Sequence, residues 1–94
     1  MVRIEDGASI HVRMRRDIEK EFDWAAVLTV ELGGSLRPIC VYDNAHGDPE
    51  RHRIRDGVKL DAEPHPSRGS ARLDVPGTIE EIKANWKGMV ERWP

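Results

Sequence analysis

The stretch Trp24-Ala25-Ala26-Val27-Leu28-Thr29-Val30-Glu31-Leu32-Gly33-Gly34-Ser35 decides the fold. Trp24, Ala26, Leu28, Val30 and Leu32 recur at period two, while Thr29 and Glu31 point the other way. That alternation describes a half-buried strand. Gly33-Gly34 supplies the backbone freedom that a two-residue hairpin turn requires. The segment Leu36 to Asp43 then returns as a second strand, with Ile39 and Val41 on one side and Cys40 and Tyr42 on the other. Pro38 cannot donate to a ladder, so it belongs near the strand start or at an edge.

Upstream, Ile10, Val12 and Met14 alternate with His11, Arg13 and Arg15, which predicts another strand over 10–15. The charged octet Arg16 to Asp23 reads as one helical turn or as a polar connection with Phe22 tucked inward. Downstream, Arg51, Arg53 and Arg55 alternate with His52 and Ile54, Asp56-Gly57 is a turn pair, and 58–62 reads as a short return strand. Residues 63–77 carry Pro64, Pro66, Gly69, Pro76 and Gly77 and read as a loop, with room for a short strand over 71–75. The last segment reads as a helix. Thr78 and Glu81 have capping-box spacing, and Glu80, Glu81 and Arg92 suit the helix dipole. Ile79, Ile82, Trp86, Met89, Val90 and Trp93 form its apolar stripe. Gly88 costs that helix about 1 kcal/mol, less than the stripe contributes at about 1.5–3 kcal/mol per buried anchor. The expected fold is α+β: one domain over 1–94, with a small antiparallel sheet of four or five strands and one C-terminal helix on its apolar face.

Composition narrows the function without naming it. The chain has 94 residues, 15 Lys and Arg against 17 Asp and Glu, and a net charge of -2. It carries no run of about 18 apolar residues for a membrane helix, and its start lacks the apolar stretch of a secretory signal. The charge balance argues against general nucleic-acid coating. One cysteine, Cys40, excludes an internal disulfide and a cysteine-based zinc ribbon, and a reducing cytoplasmic setting is expected. A chain this short buries only about 60–65% of its unfolded surface, so a homodimer or other partner is expected to support it.

The densest polar cluster is Tyr42-Asp43-Asn44-Ala45-His46-Gly47 followed by Arg51-His52-Arg53. It supplies the groups that metal-free RNA cleavage needs. Histidine titrates near neutrality and can move protons between the 2′-hydroxyl and the leaving oxygen. The arginine fork matches phosphate. His46 is the candidate acid or base and His52 its counterpart. Asp43 is placed to orient an imidazole, Tyr42 to donate a proton or stack, and Arg51 and Arg53 to hold phosphate. His11, Arg13 and Arg15 extend a basic strip on the substrate side. Strict alternation sets a difficulty, because it puts His52 with Ile54 and opposite the arginines.

Plainer readings stand beside these. Asp43 and Asn44 at a strand end often bond back to turn backbone, and arginines on alternate positions often form a solvated face. A carboxylate with two imidazoles (Asp43, His46, His52) also suits zinc or iron, but the spacing matches no strong metal signature. No metal or cofactor is therefore expected. His65 is expected to be exposed in its loop, Cys40 to be a buried structural thiol, and Trp86 and Trp93 to be core.

The Tyr42-Asp43-Asn44-Ala45-His46 run with the following Arg51-His52-Arg53 resembles the TumE-like toxin group of small α+β proteins. It is also similar to a family of short proteins that share a Tyr-Asp-x-Ala-His-Gly core, which Gly47 completes. The likeness covers Leu36 to Arg55, and the toxin group carries several adjacent histidines where this chain has only His52. The resemblance implies a toxin of a toxin-antitoxin or defence module that acts on RNA and pairs with a cognate antitoxin. It carries over Asp43, His46 and His52. The competing class is a non-enzymatic interaction module that binds a partner protein or oligomerises through the sheet edge or the Trp-bearing helix.

Overall fold

A computed structural model describes residues 1–5, 7–17, 21–45 and 47–92. Six strands form one antiparallel meander in chain order: β1 (Val2–Glu5), β2 (Ala8–Asp17), β3 (Glu21–Leu32), β4 (Ser35–Asp43), β5 (Glu50–Arg55) and β6 (Val58–Pro64). A single helix, α1 (Ala71–Glu91), follows them. The α+β class matches the expectation, and the sheet is larger than the four or five strands expected. The additional strand is β1, a four-residue edge in which Val2 and Ile4 alternate with Arg3 and Glu5 over only two periods.

Two of the tight turns follow from local chemistry. Gly33 and Gly34 both hold positive φ, at 60° and 83°, and Leu32 pairs with Ser35 across them. Asp56 and Gly57 do the same at 50° and 78°, with Arg55 paired to Val58. Two consecutive left-handed residues match the twist of the flanking strands, so both hairpins close without loop residues to spare. The octet at 16–23 is not a helical turn on its described parts. β2 and β3 run to the pair Asp17–Glu21, and Phe22 packs against the core as expected. Residues 18–20 lie outside the described residues.

One sheet face carries Ile10, Trp24, Ala26, Leu28, Val30, Cys40 and Tyr42, all buried beneath α1. The opposite face carries a smaller cluster of Ala25, Val41 and Ile54 with Val27 beside it. Pro38 sits where β4 pairs only with β3, because β5 pairing begins at Cys40. Its missing N–H therefore faces no strand.

The helix starts eight residues earlier than its sequence predicts, with Ser70 and not Thr78 at the N-cap. Ala71, Asp74, Val75, Thr78 and Ile82 are buried at spacings of three and four, one continuous stripe. Ala71–Val75 is thus helix, not strand, and Thr78 is an interior residue, not a cap. Pro76 and Gly77 read as breakers, yet contacts ahead of the helix hold its first turns. Asp74 accepts from Ser67 Oγ at 2.8 Å and from the Arg68 backbone N–H, tying the preceding loop to the first turn. Ser70 occupies the N-cap without a side-chain cap bond, and Arg92 is the C-cap. Trp86, Met89 and Val90 pack on the core as expected, while Trp93 lies outside the described residues.

Candidate functional site

The sheet divides the predicted site residues between its faces. Cys40 pairs with Arg53, Val41 with His52, Tyr42 with Arg51 and Asp43 with Glu50. Directly paired residues share a face. Tyr42, Arg51 and Arg53 therefore lie on the helix side, and Asp43 and His52 on the other. His46 lies outside the described residues, and its neighbours Ala45 and Gly47 are exposed.

On the helix side a cleft opens between the β4–β6 end of the sheet and the C-terminal half of α1. It has two lobes. One, of about 270 Å³, is lined by Ile39, Cys40, Arg51, Arg53, Glu63, Met89 and Arg92. The other, of about 280 Å³, adds Tyr42, Pro64, His65, Pro66, Glu81 and Asn85. Arg51, Glu63, Met89 and Arg92 border both lobes. A concave site with several convergent polar groups is the usual form of a ligand site.

Arg51 is the centre of this cleft. Its guanidinium pairs with Glu63, its partner across the β5–β6 ladder. It also stands beside the Tyr42 phenol. Tyr42 is 1% exposed; Arg51 stands close enough to donate toward its hydroxyl oxygen, but the O–H itself finds no acceptor among the described residues. Burial pushes the Tyr42 pKa up to about 12; Cys40 and Glu81 add to the rise and Arg51 opposes it. At neutral pH the phenol is a donor, never a base. Burial likewise pushes the Cys40 thiol up to about 12, with Arg51 and Arg53 pulling against the shift. Cys40 is the structural thiol that its pattern predicted, not a nucleophile.

His65 is the residue sequence reasoning missed. Expected as an exposed loop side chain, it is 8% exposed. Its ring meets Tyr42 edge-on at 4.8 Å between centroids. Nε2 lies 3.1 Å from Thr78 Oγ1, and Nδ1 lies 3.5 Å from Glu81 Oε2. Its backbone N–H donates to the Pro49 carbonyl at 3.0 Å. A hydroxyl, an imidazole and a carboxylate in that order resemble a nucleophile, base and orienter. Thr78 is fully buried and lines neither lobe of the cleft, so its hydroxyl is not presented to a substrate there. The trio instead pins the β6–α1 connection to the helix. Burial lowers the His65 pKa against the opposing pull of Glu81, and the ring is neutral at pH 7. The flanking prolines, which suggested exposure, carry no pattern that would have revealed this burial.

On the opposite face the groups bond locally. Asp43 Oδ1 accepts from the Ala45 N–H at 3.2 Å, and Oδ2 accepts from Lys59 Nζ at 3.0 Å. His52 Nδ1 lies 3.0 Å from the Leu60 carbonyl oxygen, so the ring donates there. Asn44 is buried and acts as an extra rung of the ladder. Its Oδ1 accepts from the Trp24 N–H at 3.0 Å, and its Nδ2 donates to the Phe22 carbonyl at 2.8 Å. Arg13 and Arg15 sit on this same face and pair with Asp23 at 3.5 and 3.0 Å. The basic strip therefore lies across the sheet from the cleft.

Among the described residues no group of three or more His, Cys, Asp or Glu side chains is arranged to hold a metal ion. No described helix is long and apolar enough to cross a membrane. No protein-family model, curated protein or solved structure matches this chain.

Proposed function

We propose that this protein is a toxin-like protein that acts on RNA by metal-independent phosphodiester cleavage, with the helix-side cleft as its phosphate-binding site. The observation that carries the reading is the convergence of Arg51, Arg53 and Arg92 on one cleft in a chain whose net charge is -2. Local clustering creates a positive field that the whole-chain charge conceals. Guanidinium forks in such a field suit phosphate oxygens.

Proton transfer falls to His46 in this reading. The 44–49 connection is tied to His65, which borders the cleft, through the Pro49 carbonyl. Asp43 is then a positioning residue. Its bonds to the Ala45 N–H and Lys59 brace the turn that leads into His46, instead of orienting an imidazole directly. His52 braces the β5–β6 hairpin from the opposite face. A cognate antitoxin and a homodimer in the cytoplasm belong to the same reading and rest on the resemblance and the small core.

A second reading has its own support. Asp43, His52 and His65 each make structural bonds within the fold. That favours a non-enzymatic module which binds a partner without turnover. RNA integrity over time in EDTA separates the two. The wild type should cleave RNA. His46→Ala should bind without cleaving, and the Arg51→Ala/Arg53→Ala double variant should lose both. RNA left intact by the wild type overturns the cleavage reading and leaves the binding module.

A further inference from the structure

The Arg51–Glu63 pair lies at the junction of the two lobes, and its partners differ in freedom. The Arg51 side chain is 29% exposed and anchored among buried residues, whereas Glu63 is 53% exposed. A carboxylate on a guanidinium fork presents two oxygens where a phosphoryl group would present its own. Directly beside that fork lies a buried hydroxyl, Tyr42 Oη, whose O–H has no acceptor among the described residues. A buried donor left unmade is costly, and such groups are kept where a ligand completes them.

From this we propose that Glu63 is a built-in competitor: in the free protein its carboxylate occupies the phosphoryl seat on Arg51, and a phosphate ester displaces it and takes the Tyr42 hydroxyl as a second donor. The proposal rests on reading the cleft as a phosphate site, and it adds which atoms form the seat and what closes it. The phosphate takes over the charge balance of Arg51 when Glu63 swings into solvent, and Arg53 and Arg92, which border the first lobe, add positive charge that favours it there. Tyr42 needs no ionisation to serve, since the phenol donates as it stands.

Fluorescence anisotropy with a labelled 2′-O-methyl oligoribonucleotide tests this, because that probe carries phosphates and no 2′-hydroxyl nucleophile. Glu63→Gln removes the competitor's charge and should tighten binding about fivefold, the worth of an exposed ion pair at its upper end. Tyr42→Phe keeps the ring packing and should weaken binding about tenfold, as for a lost hydrogen bond to a charged group. Its melting temperature should be unchanged, because the O–H it removes has no acceptor and Arg51 keeps Glu63 as its partner. A structural role for that hydroxyl would instead lower the melting temperature. The proposal is overturned if Glu63→Gln binds no tighter than wild type, if Tyr42→Phe binds equally well, or if neither wild type nor Glu63→Gln binds the probe. Binding that follows the expected order while RNA stays intact would uphold the seat and remove only the cleavage reading.

Discussion

Replacing Asn44 with Ala decides whether the middle of the Tyr42-Asp43-Asn44-Ala45-His46 run belongs to the sheet or to a site. In the structure the Asn44 amide bridges two backbone groups of β3 beyond the last β3–β4 pair at Ala25–Asp43. Ala leaves the Trp24 N–H without its acceptor, beside a Trp24 side chain that is fully buried. A buried donor stripped of its partner costs about 1–3 kcal/mol. The Phe22 carbonyl is only partly buried, so water can replace its partner and its loss is about 0.5–1.5 kcal/mol. The sum is about 1.5–4.5 kcal/mol. A chain of this size has about 5–14 kcal/mol of stability in total, at about 0.05–0.15 kcal/mol per residue. The variant should therefore keep a folded state at 25 °C but melt about 6–36 °C lower, at about 4–8 °C per kcal/mol. Urea unfolding should show a reduced midpoint at unchanged slope, since the exposed surface on unfolding is the same. A loss below about 0.5 kcal/mol would refute the ladder-extension argument. Full stability with RNA binding abolished would go further and move Asn44 into the site.

Three other outcomes follow from the same packing. His65 is neutral in the folded protein and free to protonate when unfolded, so the unfolded state binds more protons below its ordinary pKa of 6.5. Stability should be full above pH 6.5 and fall as pH drops toward the lowered folded value; His65→Gln should remove that component in urea melts across the window. A slope unchanged in the variant would refute the assignment to His65. Cys40, with its pKa near 12 and 3% exposure, should resist a thiol reagent at about pH 8 in the native protein and react only as fast as the protein opens; rapid native labelling would contradict its burial. At Gly77 an added Cβ would come 2.6 Å from the Arg68 guanidinium carbon, the far end of a flexible, exposed side chain. Gly77→Ala should raise stability by about 0.5–1 kcal/mol from helix propensity, and a marked loss in thermal melts would show that Arg68 cannot move aside.

The sheet was readable where local chemistry and periodicity agree. Leu32-Gly33-Gly34-Ser35 and Arg55-Asp56-Gly57-Val58 turn as their glycines require, and Trp24 to Leu32 buries the face its alternation marks. The helix start was misread because Pro76 and Gly77 are local signals, whereas the stripe from Ala71 to Ile82 is held by tertiary burial and by Asp74. His65 was misread for the same kind of reason. Its neighbours Pro64 and Pro66 describe the backbone path and say nothing about a ring that turns inward to Thr78 and Glu81.

The assignment of faces at the site depends on two irregularities that no residue pattern announced. Counting outward from the Gly33-Gly34 turn, an uninterrupted ladder would set Leu28 against Ile39. The shift between Leu28 and Thr29 sets Leu28 against Cys40 instead. One residue of slip turns every later side chain of β4 to the other face. Without it Val41 would meet the helix and Tyr42 would face away, and the paired strand would bring His52 to the helix side in place of Arg51 and Arg53. The second shift, between His52 and Ile54, has the same effect on β6: it sets Glu63, not Ala62, opposite Arg51. The cleft's guanidinium cluster, its paired carboxylate and its buried phenol are thus products of two bulges beside strand positions that alternation alone treats as equivalent. Bulges are enriched where a strand must re-aim a side chain. Here they separate a helix-side set suited to holding phosphate from an opposite set, Asp43 and His52, that braces the turns on either side of it.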